Sequence, residues 1–201
     1  MLKMPTMNSA HWNHSIISNN NLIFVIGGYN SNNKCEYFDI KTLKWVEMYD
    51  LNLYERQRSM LVIYKNYLYC FMGYNQFKIF YSIERINKKN NISLNKWENI
   101  SISNEFQLNL KFYGSGIFNY RDKLFFIGGK IGFEDNEKDY KREIYNFSFD
   151  KMKFNNCEIC LSTKLNFIEN HFHYCNDDSV GNFICLNNGW LVTFNISSFI
   201  K

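Results

Sequence analysis

The chain has 201 residues, 46% of them hydrophobic and 18% aromatic, and carries a formal net charge of +4. That is enough apolar material for a sizeable core, and an aromatic load of this size favours strands. Lys and Arg are scattered and not gathered into the stripe of a nucleic-acid binder, no run approaches the ~20 apolar residues of a membrane helix, and residues 1–17 lack the continuous apolar segment of a secretory leader.

Alternation and turn residues then predict strands in chain order. A first group falls at Trp12 to Ser18, Leu22 to Gly28, Cys35 to Ile40 and Lys44 to Met48. A second falls at Met60 to Lys65, Tyr67 to Gly73, Tyr81 to Asn87 and Lys96 to Ile100. A third falls at Gly114 to Tyr120, Lys123 to Gly129, Glu143 to Phe149 and Lys153 to Glu158. A fourth is shorter, at Phe172 to Cys175, Gly181 to Leu186 and Trp190 to Ile196. Asn-rich runs such as Asn19-Asn20-Asn21 punctuate these segments, where Asn tolerates positive φ and bonds its own backbone. The densest basic run, Arg85 to Lys89, reads as a solvated loop. The six Cys are spread along strands and do not frame a small loop-rich domain, which predicts reduced thiols and a cytoplasmic setting.

The groups share one phrase: an apolar strand ending in a small doublet, a strand with an acidic residue, then Trp or Phe. The first copy has Gly27-Gly28, Glu36 and Trp45; the second has Met72-Gly73, Glu84 and Trp97; the third has Gly128-Gly129, Glu143 and Phe154. Asn187-Asn188 stands in a degraded fourth copy. The doublets recur about every 45 to 60 residues. This resembles the kelch repeat, in which each copy is one four-stranded blade of a β-propeller. The fold class implied over residues 1–201 is all-β, a kelch-type propeller with about four blades at 11–50, 58–101, 113–159 and an incomplete 171–201.

The residue types have physical reasons. A second strand sandwiched between neighbouring blades is apolar on both faces. The doublet turns the chain where a side chain would collide or need positive φ. Trp45 and Trp97 offer area to cover a neighbouring sheet, and the resemblance implies that Glu36, Glu84 and Glu143 tie blades by hydrogen bonds. Met72 departs from the pattern and predicts an altered turn with an ordinary backbone.

Propellers have four to eight blades, so the array is expected to be incomplete or open. It closes as a small ring, pairs with another chain or a second copy through its open faces, or belongs to a longer protein; the last is favoured.

Candidate chemistry is sparse. Cys157, Cys160, His171, His173 and Cys175 have zinc-ligand types, but two cysteines three apart on a strand point to opposite faces, so the expectation is incidental thiols and no metal. Ser115, between Gly114 and Gly116, resembles a nucleophile turn but reads as the start of an inner strand. No catalytic residues and no cofactor are predicted. Two alternative readings stand beside this: a propeller enzyme acting on a carbohydrate or other small molecule, as some kelch propellers do, although none of their catalytic residues can be matched here, and a non-functional fragment of a longer kelch protein.

The loops after the doublets and between blades remain. In the resembled family they form a partner-binding rim, and here they carry Tyr29, Asn30, Tyr74, Asn75 and Lys130, with Arg56, Arg58 and Tyr113 between blades. Tyr and Arg are enriched at interaction hot spots. Each also has a structural reading; Arg58 in particular fits a basic residue that ties blades together. The expectation is a non-catalytic protein-interaction module whose partner is another protein, not nucleic acid or membrane. Service as a ubiquitin-ligase substrate adaptor is an analogy from fold; it needs a dimerisation domain that these residues do not contain.

Overall fold

The computed structural model describes residues 5–31, 33–53, 55–89, 91–102, 112–120, 123–132, 143–160, 172–173, 182–187 and 190–195. The chain divides into two compact units, Met1–Ile102 and Ser103–Lys201.

The first unit holds two four-stranded antiparallel sheets. Blade 1 comprises β1 (Ser15–Asn19), β2 (Leu22–Ile26), β3 (Cys35–Asp39) and β4 (Lys44–Glu47), hydrogen-bonded in chain order. Blade 2 comprises β5 (Met60–Tyr64), β6 (Tyr67–Phe71), β7 (Ile83–Asn87) and β8 (Glu98–Ile100), again in chain order. A single 3-10 turn, Ile92–Leu94, is the one helical element among the described residues. In the second unit, blade 3 comprises β9 (Gly116–Tyr120), β10 (Lys123–Ile127), β11 (Glu143–Ser148) and β12 (Lys153–Cys160). A three-stranded sheet follows, of β13 (Phe172–His173), β14 (Asn182–Asn187) and β15 (Trp190–Asn195).

Burial follows the sequence logic. Along β2 the residues Phe24, Val25 and Ile26 are all buried, as are Leu68 to Phe71 of β6 and Leu124 to Ile127 of β10. Two-sided burial removes alternation from the second strand of each blade. The inner strands of blades 1 and 2 lie together, and Ser15 Oγ donates to the Ser59 carbonyl at 2.6 Å. Phe24, Cys35, Met48, Leu51, Leu61, Cys70 and Trp97 form one core across both blades. Trp97 is buried, with its indole N–H donating to the Tyr49 carbonyl at 2.9 Å. Trp45 is only half-buried: it leans on Phe38 of its own blade and donates to the Pro5 carbonyl.

The expectation about Met72 is overturned. Its φ is +51°, beside +65° at Gly27 and +63° at Gly128, so all three blades make the same left-handed turn. That φ is open to a non-glycine residue at a cost of about 1–2 kcal/mol, and Met72 is fully buried there. The second position is stricter. Gly28, Gly73 and Gly129 have φ of +114°, +100° and +102°, and a Cβ on each would lie 2.8, 2.7 and 3.1 Å from the carbonyl oxygen of Trp12, Gln57 and Tyr113 respectively. The same entering-segment carbonyl closes on the second glycine every time.

Candidate functional site

Pairing registers make the repeat equivalences explicit. Val25 of β2 pairs with Glu36, Cys70 of β6 with Glu84, and Phe126 of β10 with Tyr145. Counted from the doublets, the counterpart of Glu36 and Glu84 in blade 3 is therefore Tyr145, not Glu143. Glu143 lies two residues before that position; on the other side of β11 it pairs with Cys160 of β12, across an irregularity in that register.

The residue that meets this position comes from the segment entering each blade. In blade 1 it is His11, whose Nε2 lies 2.9 Å from Glu36 Oε1 while Nδ1 lies 2.6 Å from the Gly27 carbonyl oxygen. Glu36 also accepts from the backbone N–H groups of Asn8 and Ser9. In blade 2 it is Arg56, which is 0% exposed and donates to Glu84 Oε1 at 2.8 Å and Ser82 Oγ at 2.9 Å. The Asn52 amide donates to Glu84 Oε2 at 2.7 Å. In blade 3 it is Phe112, stacked on Tyr145 with centroids 6.0 Å apart and planes at 19°. A charged pair has been exchanged for an aromatic one at the same joint.

This placement removes Arg56 from the loop surface. A fully buried guanidinium in an ion pair positions backbone and touches no partner, so the rim role expected for it fails. Arg56, two residues before Arg58, makes a buried structural ion pair of its own. The side chains of Tyr113 and Lys130 are buried too, at 5% and 8% exposure, with the Tyr113 hydroxyl donating to the Gly132 carbonyl. They do not present a surface either.

The other expected residues gather at one end of blades 1 and 2. Residues just after the doublets pair with the entering segments: Trp12 with Tyr29, and Gln57 with Tyr74. Arg58 N donates to the Asn13 carbonyl at 2.9 Å, joining the two entering segments side by side. Asn13 and Arg58 are both left-handed, with φ of +54° and +46°. Tyr29, Arg58, Tyr74 and Asn75 are half-buried and Asn30 is exposed. The Asn30 amide is held by Glu55 at 2.6 Å, and the neighbouring Lys34–Asp50 pair (3.1 Å) raises the Lys34 pKa. Asn75 Oδ1 accepts from the Phe77 and Lys78 amides, fixing the longer loop of blade 2.

Two residues on this end were not singled out from the sequence. Trp12 is 67% exposed and packs edge-on against Tyr29, with centroids 5.5 Å apart at 79°. Phe77 is 78% exposed. The sequence pattern starts an inner strand at Trp12, whereas the strand begins at Ser15 and leaves Trp12 in the entering segment. Large aromatics just before and just after an apolar strand were the available signal.

Elsewhere, Ser115 is structural: its hydroxyl donates to the Gly128 carbonyl at 2.8 Å. Burial pushes the Cys157 thiol up, and the Asn146 amide donates to its sulfur. The side chains of Cys160, His171, His173 and Cys175, and the whole of Asn188, lie outside the described residues.

Residues 13–52 match the Kelch motif, a span running from the entering segment of blade 1 to the linker that leaves it. A solved structure titled "Structure of YjhT", a kelch-type propeller, is similar with a TM-score of 0.63 at 13% identity, covering 76% of this chain and 53% of that one. At that identity the likeness shows the fold, which is all-β with kelch-type propeller blades. The chain spans about half the length of that structure. No curated protein matches the sequence.

Proposed function

We propose that this chain is a non-catalytic protein-interaction module that binds a peptide or loop of another protein across the loop end of blades 1 and 2. The observation that carries this reading is the exposed Trp12, packed on the half-buried Tyr29 beside Arg58 and Tyr74. Exposed Trp is costly to leave in water, and Trp, Tyr and Arg are the types that dominate binding energy when a partner covers them. Their backbone is fixed by the Trp12–Tyr29 and Gln57–Tyr74 bridges, so little ordering entropy is lost on binding.

The setting is the cytoplasm. Cys35 and Cys70 are free and buried in the core between the two blades, which suits a reducing compartment. No helix among the described residues is long and apolar enough to cross a membrane.

The test is affinity capture followed by quantitative mass spectrometry, with wild type beside Trp12→Ala/Tyr29→Ala/Arg58→Ala. A control variant changes Leu43, exposed at the other end of blade 1. Partners retained by wild type and by Leu43→Ser should be depleted at least about tenfold by the triple variant, since each hot-spot truncation costs about 2 kcal/mol or more. Equal recovery from all three would overturn the reading.

A further inference from the structure

At the opposite end of the strands of blades 1 and 2 lies a cavity of about 410 Å³. It is walled by the β1–β2 and β3–β4 turns of one blade and by Asn66 and the residues after β7 of the next. The two blades close here in parallel fashion. Ile40 N donates to the Asn21 carbonyl at 2.8 Å, and Lys88 N donates to the Asn66 carbonyl at 2.7 Å. Asn20 and Lys65 are the left-handed residues of the two turns, with φ of +53° and +52°.

The lining is polar, and its charge is uneven. Lys41, Lys88 and Lys89 face a single carboxylate, Asp39. Asp39 Oδ1 is already engaged by the Lys41 amide at 2.9 Å. Lys88 is the central group. It is half-buried, and its ammonium donates across the blade boundary to Asn19 Oδ1 at 2.8 Å. Burial pulls its pKa down. A neutral amide oxygen offsets only part of the cost of desolvating an ammonium, and an anion would offset the rest. Asn carboxamides both donate and accept, which is what hydroxyl groups need. The volume falls in the range of small-molecule sites, about 300–1,000 Å³.

We propose that this cavity binds a small phosphorylated polyol, with its phosphate on the Lys88 and Lys41 ammonium groups and its hydroxyls on the surrounding asparagines. The site is separate from the loop end, so loss of partner binding there leaves this proposal standing, and the reverse holds.

Calorimetric titration of the full chain with glucose 6-phosphate, inorganic phosphate, sulfate and glucose, at one fixed ionic strength, tests it. Saturable binding is expected for glucose 6-phosphate, weaker binding for inorganic phosphate, and none for glucose. Lys88→Gln keeps a donor for Asn19 but removes the charge, and Lys41→Gln alters an exposed side chain outside the core. Each should weaken glucose 6-phosphate binding about tenfold or more, with the urea midpoint unchanged in Lys41→Gln. The proposal is overturned if neither phosphate compound saturates. It is equally overturned if glucose or sulfate binds as tightly as glucose 6-phosphate, or if both variants bind like wild type.

Discussion

At Met72 two effects of opposite sign meet in one residue. Left-handed backbone costs a side-chain-bearing residue about 1–2 kcal/mol, which argues for glycine. The side chain is fully buried, however, and removing a buried Met costs about 2–5 kcal/mol. The second term wins, so Met72→Gly should destabilise the protein by about 1–3 kcal/mol in urea unfolding, whereas a stabilised variant would show that strain dominates. The sequence alone exposed the departure from the doublet but not the outcome, because φ at this point is imposed by the entering segment and the Met side chain is accommodated by packing. Cys35 and Cys70 carry a second prediction at this scale. Burial is the largest cause raising both thiol pKa values. The folded state therefore keeps protons that the unfolded chain loses above about pH 8.5. Their contribution is complete below that pH and falls as pH rises toward the folded values. Urea midpoints from pH 7 to 10 should decline in wild type and decline less in Cys35→Ala/Cys70→Ala; identical slopes would contradict this.

Strands were the most legible elements. Two-sided burial at β2, β6 and β10 follows from runs such as Leu22 to Ile26, and the strands of each blade lie close to their expected limits. Register was less legible. Glu143 looks like Glu36 and Glu84 by residue type, yet the pairing with β10 puts Tyr145 at their position, and the loop between doublet and third strand differs in length from blade to blade, so counting along the chain does not give the register. The outer strands differ for a related reason. Trp97 is buried in the core shared by blades 1 and 2, while Trp45 covers only Phe38 and residues near the N-terminus. Trp97→Ala should cost about 3–5 kcal/mol and Trp45→Ala clearly less, read as the difference between their urea midpoints. Equal losses would mean that the two tryptophans do the same work.

At the scale of the whole molecule, repetition carried the fold and said little about function. The doublets, acidic strands and aromatic residues announced propeller blades because each satisfies a constraint of stacking. The candidate binding end was only partly legible: Tyr29, Asn30, Arg58, Tyr74 and Asn75 gather there, but Arg56, Tyr113 and Lys130 turn inward. Adjacent loop residues alternate between joint and surface according to a backbone path that composition does not reveal, so Arg56 and Arg58 could not be told apart. The joint recurs in all three blades: the segment entering each blade docks on the third-strand residue that pairs two positions before the doublet, through His11–Glu36, Arg56–Glu84 or Phe112–Tyr145. A double-mutant cycle with Arg56→Met and Glu84→Gln measures that joint directly. Each single change should cost about 3–5 kcal/mol by stranding a buried charge, while the double variant should cost less than their sum, with a coupling of about 2 kcal/mol or more. Additivity within about 0.5 kcal/mol would contradict the account, because two residues that do not meet cannot form the joint.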